Sequence, residues 1–202
     1  LYYKKKEHEI YWPIFDYWIE QMKYYVPWVN WIGVSKENKE HAYNEPISIL
    51  NSLGVEKKIP LYNFLGSNLE LSNTPYFPHV SFDEFKYIKA DVPFHEKWNL
   101  NKCIQRDSKR EGLIFNKYVK QENYVVTHLK ASIHTADFDK SLIPENFQII
   151  EIDNDGFVLD WLKVIEKAKM IFMTNSVMAN ITEQLNIGAV SYTHLRAHET
   201  DL

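Results

Sequence analysis

The sequence has few of the residues and runs that mark several common protein classes. It contains one cysteine, Cys103, and six glycines. An internal disulfide is therefore impossible, and no Gly-x-Gly pair of a Rossmann dinucleotide site or P-loop occurs. No apolar run approaches the roughly 18 residues that a membrane-spanning helix requires. These absences predict a soluble protein of a reducing compartment, with a cytoplasmic location and no transmembrane segment.

The net charge is also small. It is -4, and Lys4-Lys5-Lys6 is the one run of basic residues, so we expect no nucleic-acid partner. His194 and His198 have the four-residue spacing of two zinc ligands on a helix. Because no Glu lies between them and no third ligand follows, we predict no metal site.

Neither end of the chain has the features of a native terminus. It opens on Leu1-Tyr2-Tyr3 without an initiator Met or a signal-peptide pattern. The segment Val190–Leu202 resembles translated sequencing-adapter read-through, so we exclude it from the fold. We expect a fragment that is incomplete at both ends, with a partial N-terminal α/β segment over 1–78, a truncated Rossmann-like domain over 79–190 and a non-native tail over 191–202.

The first 78 residues are rich in Tyr, Trp and Pro. Apolar and aromatic residues follow Pro13 at helical spacing, which predicts a helix that begins just after it. The segment Val29–Val34 predicts a short strand. Aromatic rings at this density are typical of surfaces that stack on sugars, and an aromatic stripe at helical spacing is also typical of a buried core. Both interpretations stay open.

From Ser81 onward the pattern becomes regular. Ser81 with Glu84, and Ser108 with Glu111, have the three-residue spacing of a capping box, so each pair predicts the start of a helix.

Strand and helix patterns then alternate. Segments 123–129, 147–152 and 170–174 have the β-branched and aromatic content of strands. An amphipathic helix is predicted over 156–169, and another begins near Val177. This alternation predicts an α/β layered fold, with a parallel sheet and flanking helices.

Polar side chains follow two of these strands at their carboxyl ends, where open α/β sheets bind ligands. Thr174-Asn175-Ser176 stands where a strand gives way to a helix. Asn175 or Ser176 is a candidate N-cap, and the helix N-terminus could also bind a phosphate group. The two uses are compatible, and the sequence leaves open whether the loop serves as a cap alone.

The preceding strand ends in His128, and Lys130, Ser132 and His134 follow it. Lys130 could offset the charge of a phosphate, and His128 could donate a hydrogen bond or act as a general base near neutral pH. A purely structural role for His128 is the alternative.

Four features together resemble the C-terminal half of bacterial and viral glycosyltransferase-like proteins of the GT-B type, which have two Rossmann-like domains. They are Arg106-Asp107, the strand that ends in His128, the segment Asp160–Lys169, and Thr174-Asn175-Ser176 followed by an amphipathic helix. The resemblance covers roughly residues 81–187. It implies a nucleotide-diphosphate sugar bound without an obligatory metal, and it implies cleft-facing positions for Arg106, His128, Asn175 and Ser176.

The functional hypothesis is therefore a glycosyltransferase-like fragment that moves a sugar, in a hexosyl- or fucosyl-type transfer, from a nucleotide-diphosphate donor to a glycan or similar acceptor. His128 is the candidate catalytic residue. The donor would contact Arg106, Lys130, Thr174, Asn175 and Ser176, with no further cofactor. The alternative is a noncatalytic carbohydrate-binding or assembly α/β domain. We also expect self-association through the truncated edges of the sheet.

Overall fold

The computed structural model describes residues 3, 6–35, 44–61, 79–130, 135, 139–174, 176–187 and 190–193, with the backbone alone for 44, 82 and 190–193. The fold is mixed α/β, with two small parallel sheets and flanking helices. The chain divides into two compact units, an N-terminal unit over Leu1–Lys97 and a C-terminal unit over Trp98–Leu202. The division follows Lys97, whereas the sequence pattern marks a boundary near residue 78.

The N-terminal unit contains a sheet of two parallel strands, β1 (Tyr11–Phe15) and β2 (Asn30–Val34). The strand predicted from Val29–Val34 is confirmed. The helix predicted to begin just after Pro13 is present but begins later, because β1 continues to Phe15 and the helical segment runs from Asp16 to Tyr25. Aromatic and β-branched residues suit a strand as well as a helix, and a proline is tolerated in an edge strand because its missing N–H is not needed on the open side.

Helices complete the described part of this unit. A short 3₁₀ helix over Asp16–Trp18 precedes α1 (Ile19–Tyr25), and α2 (Asn44–Ser52), α3 (Phe82–Lys89) and a 3₁₀ helix over Phe94–Trp98 follow. The capping box predicted at Ser81 is confirmed. Ser81 Oγ accepts the Glu84 N–H at 3.2 Å, and Glu84 Oε2 accepts the Ser81 N–H at 2.7 Å.

The C-terminal unit contains a four-stranded parallel sheet with the order β4-β3-β5-β6. Its strands are β3 (Tyr124–His128), β4 (Gln148–Glu151), β5 (Met170–Met173) and β6 (Val190–Thr193). The first three confirm the strands predicted from the sequence. The fourth is a correction, because residues 191–193 pair with β5 although the sequence pattern excludes 191–202 from the fold.

Four helices of the described residues accompany this sheet. They are α4 (Leu100–Cys103), α5 (Ser108–Tyr118), α6 (Leu162–Lys167) and α7 (Val177–Leu185), with 3₁₀ helices over Lys140–Leu142 and Val158–Trp161. The helix predicted over 156–169 is present, but its first turn is 3₁₀. The N-cap of α5 is Asp107 rather than Ser108, since the Asp107 side chain accepts the N–H groups of Lys109 and Arg110. None of the described helices combines the length and the apolarity that crossing a bilayer requires.

The two faces of the four-stranded sheet pack against different parts of the chain. Val125 and Phe172 form a core cluster with Ile143, from the segment between β3 and β4. On the opposite face, the Tyr124 hydroxyl donates to the Val164 carbonyl of α6 at 2.8 Å. The sheet is therefore covered on both sides, and its strand ends are positioned by packed elements.

Candidate functional site

The strand order places a topological switch point between β3 and β5. The chain leaves β3 for β4 on one side and leaves β5 for β6 on the other. Connections that diverge in this way open a crevice between the carboxyl ends of the two strands, which is where open α/β sheets bind ligands. The residues that end β3 and follow β5 are therefore the first candidates for a site.

The structure brings two of the predicted site residues together at this point. His128 is the last residue of β3 and pairs in register with Met173 of β5. The Thr174 N–H donates to the His128 carbonyl at 3.0 Å, which extends the pairing by one residue. Beyond it, His128 Nδ1 lies 3.1 Å from Ser176 Oγ. The strand pairing thus fixes the imidazole beside the start of α7.

Ser176 is the N-cap of α7, which confirms one of the two predicted candidates. Its backbone is extended, and its Oγ accepts the Ala179 N–H at 3.3 Å. A serine in this role satisfies one of the N–H groups that the first helical turn leaves unpaired. The predicted contact of this loop with an anion stays a prediction.

The electrostatic surroundings favour a neutral imidazole. Partial burial lowers the pKa of His128 from its ordinary value of 6.5, and the negative charge of Glu151 opposes this change. At pH 7 the ring is therefore uncharged, with one nitrogen that donates and one that accepts. Ser176 Oγ could accept a hydrogen bond from Nδ1 or donate one to it. In the first case Nε2 can accept a proton, and in the second case Nε2 carries the proton.

The other predicted residues of this edge have different environments. Thr174 is completely buried, so its side chain is part of the interior. Lys130 is exposed, and it forms an isolated antiparallel bridge with Thr135. The prediction for Asn175 lies outside the described residues, as do those for Ser132 and His134.

The predicted donor-site residue Arg106 has its side chain hydrogen-bonded within the protein. Its five N–H donors are all engaged, with Glu111 and Glu166 each accepting two and Asn101 accepting one. A guanidinium has no further donor to offer a phosphate oxygen. The hydrogen bonds to Glu111 also raise the pKa of Arg106 above its ordinary value. The structure therefore places Arg106 in an ion-pair network between α5 and α6.

A second ion pair that the sequence pattern does not reveal lies beside this network. The Arg110 guanidinium donates to Asp160, which is 2% exposed, at 2.8 to 3.2 Å. Asp160 also accepts the Phe157 N–H at 2.8 Å. Fifty residues separate Arg110 from Asp160, so no local spacing could have shown that they meet.

Two cavities of the described structure lie away from His128 and Ser176. A cavity of about 590 Å³ lies where β3 and β5 begin, and one of about 320 Å³ lies beside Arg110 and Asp160. Within the described ranges, no group of three or more His, Cys, Asp or Glu could hold a metal ion.

Comparison of the chain with protein-family models, with curated proteins and with solved structures gives no match.

Proposed function

We propose that the carboxyl edge of β3 and β5 binds a nucleotide-diphosphate sugar, and that the chain is a glycosyltransferase-like fragment with a Rossmann-like, GT-B-type C-terminal domain. The observation that carries this proposal is the 3.1 Å contact between His128 Nδ1 and Ser176 Oγ at the switch point. It joins a residue that can accept a proton to a helix N-terminus that attracts negative charge.

In the proposed transfer, the acceptor hydroxyl oxygen forms a bond to the anomeric carbon of the donor sugar. The bond from that carbon to the diphosphate breaks, and its electron pair leaves with the diphosphate. His128 takes the proton of the acceptor hydroxyl. The N-terminus of α7 and the Lys130 ammonium stabilise the negative charge that develops on the leaving group.

This chemistry requires one particular tautomer of His128. If Nδ1 carries the proton and donates to Ser176 Oγ, then Nε2 keeps a lone pair and can act as the base. The serine oxygen can accept from both Nδ1 and the Ala179 N–H, because a hydroxyl has two lone pairs, and its own proton stays available for a phosphate oxygen. The opposite tautomer would leave Nε2 protonated and unable to act as the base.

Substitution of the cap residue tests the diphosphate site. Ser176→Asp retains a good N-cap but adds a negative charge, so we expect the fold to persist and the affinity for a nucleoside diphosphate to fall at least tenfold. Ser176→Asn is the matched neutral cap. Ser81→Asp adds the same charge at the N-cap of α3 in the other unit. Calorimetric titration with a panel of nucleoside diphosphates measures the change.

Two outcomes would contradict the diphosphate site, and a separate measurement tests His128 as the base. Equal affinity in Ser176→Asp and Ser176→Asn would contradict the proposal, as would a folded wild-type protein that binds none of the diphosphates. Lys130→Ala should weaken binding without altering stability. Nitrogen chemical shifts of the His128 ring report its tautomer directly, and protonation at Nε2 alone would remove His128 as the base.

A noncatalytic carbohydrate-binding domain is the second candidate. Trp12, Tyr17 and Tyr24 of the N-terminal unit are each between 43% and 48% exposed, and flat exposed rings can stack on sugar faces. This function needs no diphosphate site. Binding of a glycan that persists in Ser176→Asp but is lost in Trp12→Ala would favour it over sugar transfer.

A further inference from the structure

The larger described cavity lies at the opposite end of the four-stranded sheet from the proposed donor site. It has a volume of about 590 Å³ and adjoins Tyr124, the first residue of β3. We refer to it as the amino-edge cavity, defined by Phe115, Lys120, Glu122, Lys167 and Lys169. Its volume is within the range of sites that bind small molecules, roughly 300 to 1,000 Å³.

The charges around the amino-edge cavity are mainly positive. Lys120, Lys167 and Lys169 line it, and Glu122 is the carboxylate among its lining residues. A fourth ammonium, that of Lys163, lies 4.9 Å from the centre of the Phe115 ring.

The ends of α5 and α6 also face this region, and the C-terminal carbonyl groups of helices carry a partial negative charge. Lys120 Nζ offsets part of it by donating to the Asn116 carbonyl at 2.9 Å. Two helix ends together amount to roughly one negative charge, and Glu122 adds another. The positive charge of the three lining lysines exceeds this sum. A net positive field therefore remains in the cavity.

The backbone that carries these lysines is held in place. The Lys120 N–H donates to Gln148 Oε1 at 2.9 Å, and the Lys169 N–H donates to the Tyr124 carbonyl at 3.0 Å. Gln121 Nε2 bridges the carbonyls of Asn123 and Asn146, each at 3.0 Å. The positions from which the lysine side chains extend are thus fixed before any ligand arrives, which lowers the entropy cost of binding.

We infer that the amino-edge cavity binds a ligand with two adjoining phosphate groups. Lysine ammonium groups are compact charges that bind phosphate oxygens, and several lysines lining one cavity suit a polyphosphate better than a single carboxylate. The ligand is either a nucleotide or a polyphosphate without a base, because both present the same chemistry to the lysines. This inference does not depend on the proposed sugar transfer at the carboxyl edge.

Titration of the full chain with inorganic pyrophosphate tests the site. We expect the double variant Lys167→Gln, Lys169→Gln to weaken pyrophosphate binding at least tenfold. The double variant Lys109→Gln, Lys140→Gln removes two exposed lysines elsewhere in the same unit and is expected to change it less than twofold. Glu122→Gln removes the opposing charge from a side chain that is 90% exposed, and should strengthen binding at least twofold.

Repeating these titrations in Ser176→Asp protein separates this inference from the proposed function. Pyrophosphate binding that survives Ser176→Asp and is lost in the Lys167, Lys169 variant supports the amino-edge site. Absence of pyrophosphate binding, or equal losses in the two lysine double variants, overturns it. A nucleoside diphosphate that displaces pyrophosphate from the site identifies a nucleotide ligand, whereas failure to displace it identifies a polyphosphate without a base. Circular dichroism melts check that each variant is folded.

Discussion

The two sheets of this protein share parallel pairing but differ in how deeply they are buried. In β3, the four residues 124–127 are all buried, whereas in β1 and β2 together Val34 alone is buried. Among the largest fully buried side chains of the described residues, Tyr25 belongs to the N-terminal unit and the others belong to the C-terminal unit. Burial of apolar surface is the main source of stability. We therefore expect core substitutions to cost more stability in the C-terminal unit than in the N-terminal unit.

The ion pairs of the two units also differ in how deeply their carboxylates are buried. Breaking them is therefore expected to give the largest difference in stability between the units. Glu111, with a side chain that is 3% exposed, is paired with Arg106. Arg106→Met would leave this carboxylate buried without its partner, so we expect a loss of about 3 to 5 kcal/mol of stability. Lys97→Met in the N-terminal unit leaves Asp83, which is 34% exposed and can be rehydrated, so we expect about 1 kcal/mol. Urea denaturation measures both changes.

The double variant Arg106→Met, Glu111→Gln is the control for this test. Removing both charges should recover part of the stability lost in Arg106→Met, because the unpaired buried charge is then gone. The same variants decide the role of Arg106. An Arg106→Met variant of normal stability that fails to bind nucleoside diphosphates would return Arg106 to the donor site and contradict its structural role in the ion-pair network.

Matched core substitutions in the two sheets test the difference in burial directly. Ile171 of β5 is completely buried, whereas Ile32 of β2 is partly exposed. We expect Ile171→Ala to cost about 2 to 5 kcal/mol and Ile32→Ala less than half of that, since it creates a smaller cavity. Chemical denaturation followed by circular dichroism checks the pair. We call the two-stranded sheet the shallow sheet and the four-stranded sheet the deep sheet. Equal costs would show that the shallow sheet is as tightly packed as the deep sheet.

Much of the deep sheet is predictable from the sequence, and the shallow sheet is less so. Three strands of the C-terminal unit are evident because each is a short apolar run followed by polar residues. Around Pro13 the same aromatic residues suit a helix or a strand, and pairing with β2 decides for the strand. Strand β6 is missed because its segment is excluded for its resemblance to adapter read-through, although Val190, Tyr192 and Thr193 are residue types that favour strands.

The candidate site is predictable to the extent that it follows from topology. Alternating strands and helices place His128 and Ser176 at one edge of the sheet, and the structure adds their direct contact. The environment of Arg106 is not predictable, because Glu166 is sixty residues away along the chain. The lysines of the amino-edge cavity are likewise brought together by the ends of two helices that are distant in the sequence.

A smaller effect is expected at the helix caps, which are alike in the two units. Asp107 caps α5 through the N–H groups of Lys109 and Arg110, and Ser81 caps α3. We expect Asp107→Ala and Ser81→Ala each to cost about 0.5 to 2 kcal/mol. Ser108→Ala should cost almost nothing, because Ser108 is the first helical residue and alanine favours a helix. A larger loss in Ser108→Ala than in Asp107→Ala would restore the cap expected from the sequence.

The smallest expected effect is a change in pH dependence at the carboxyl edge of the deep sheet. Burial lowers the pKa of His128 below 6.5 in the folded state, so the unfolded chain takes up the proton first as the pH falls. The contribution of His128 to stability is therefore complete above pH 6.5 and decreases below it. We expect His128→Gln to flatten the loss of stability between pH 6.5 and 5, as measured by urea denaturation at a series of pH values, with the exposed His95→Gln of the N-terminal unit as the histidine control. If His128→Gln loses stability as steeply as the wild type, the imidazole is not buried at the end of β3 and its ring is free to take up a proton near its ordinary pKa.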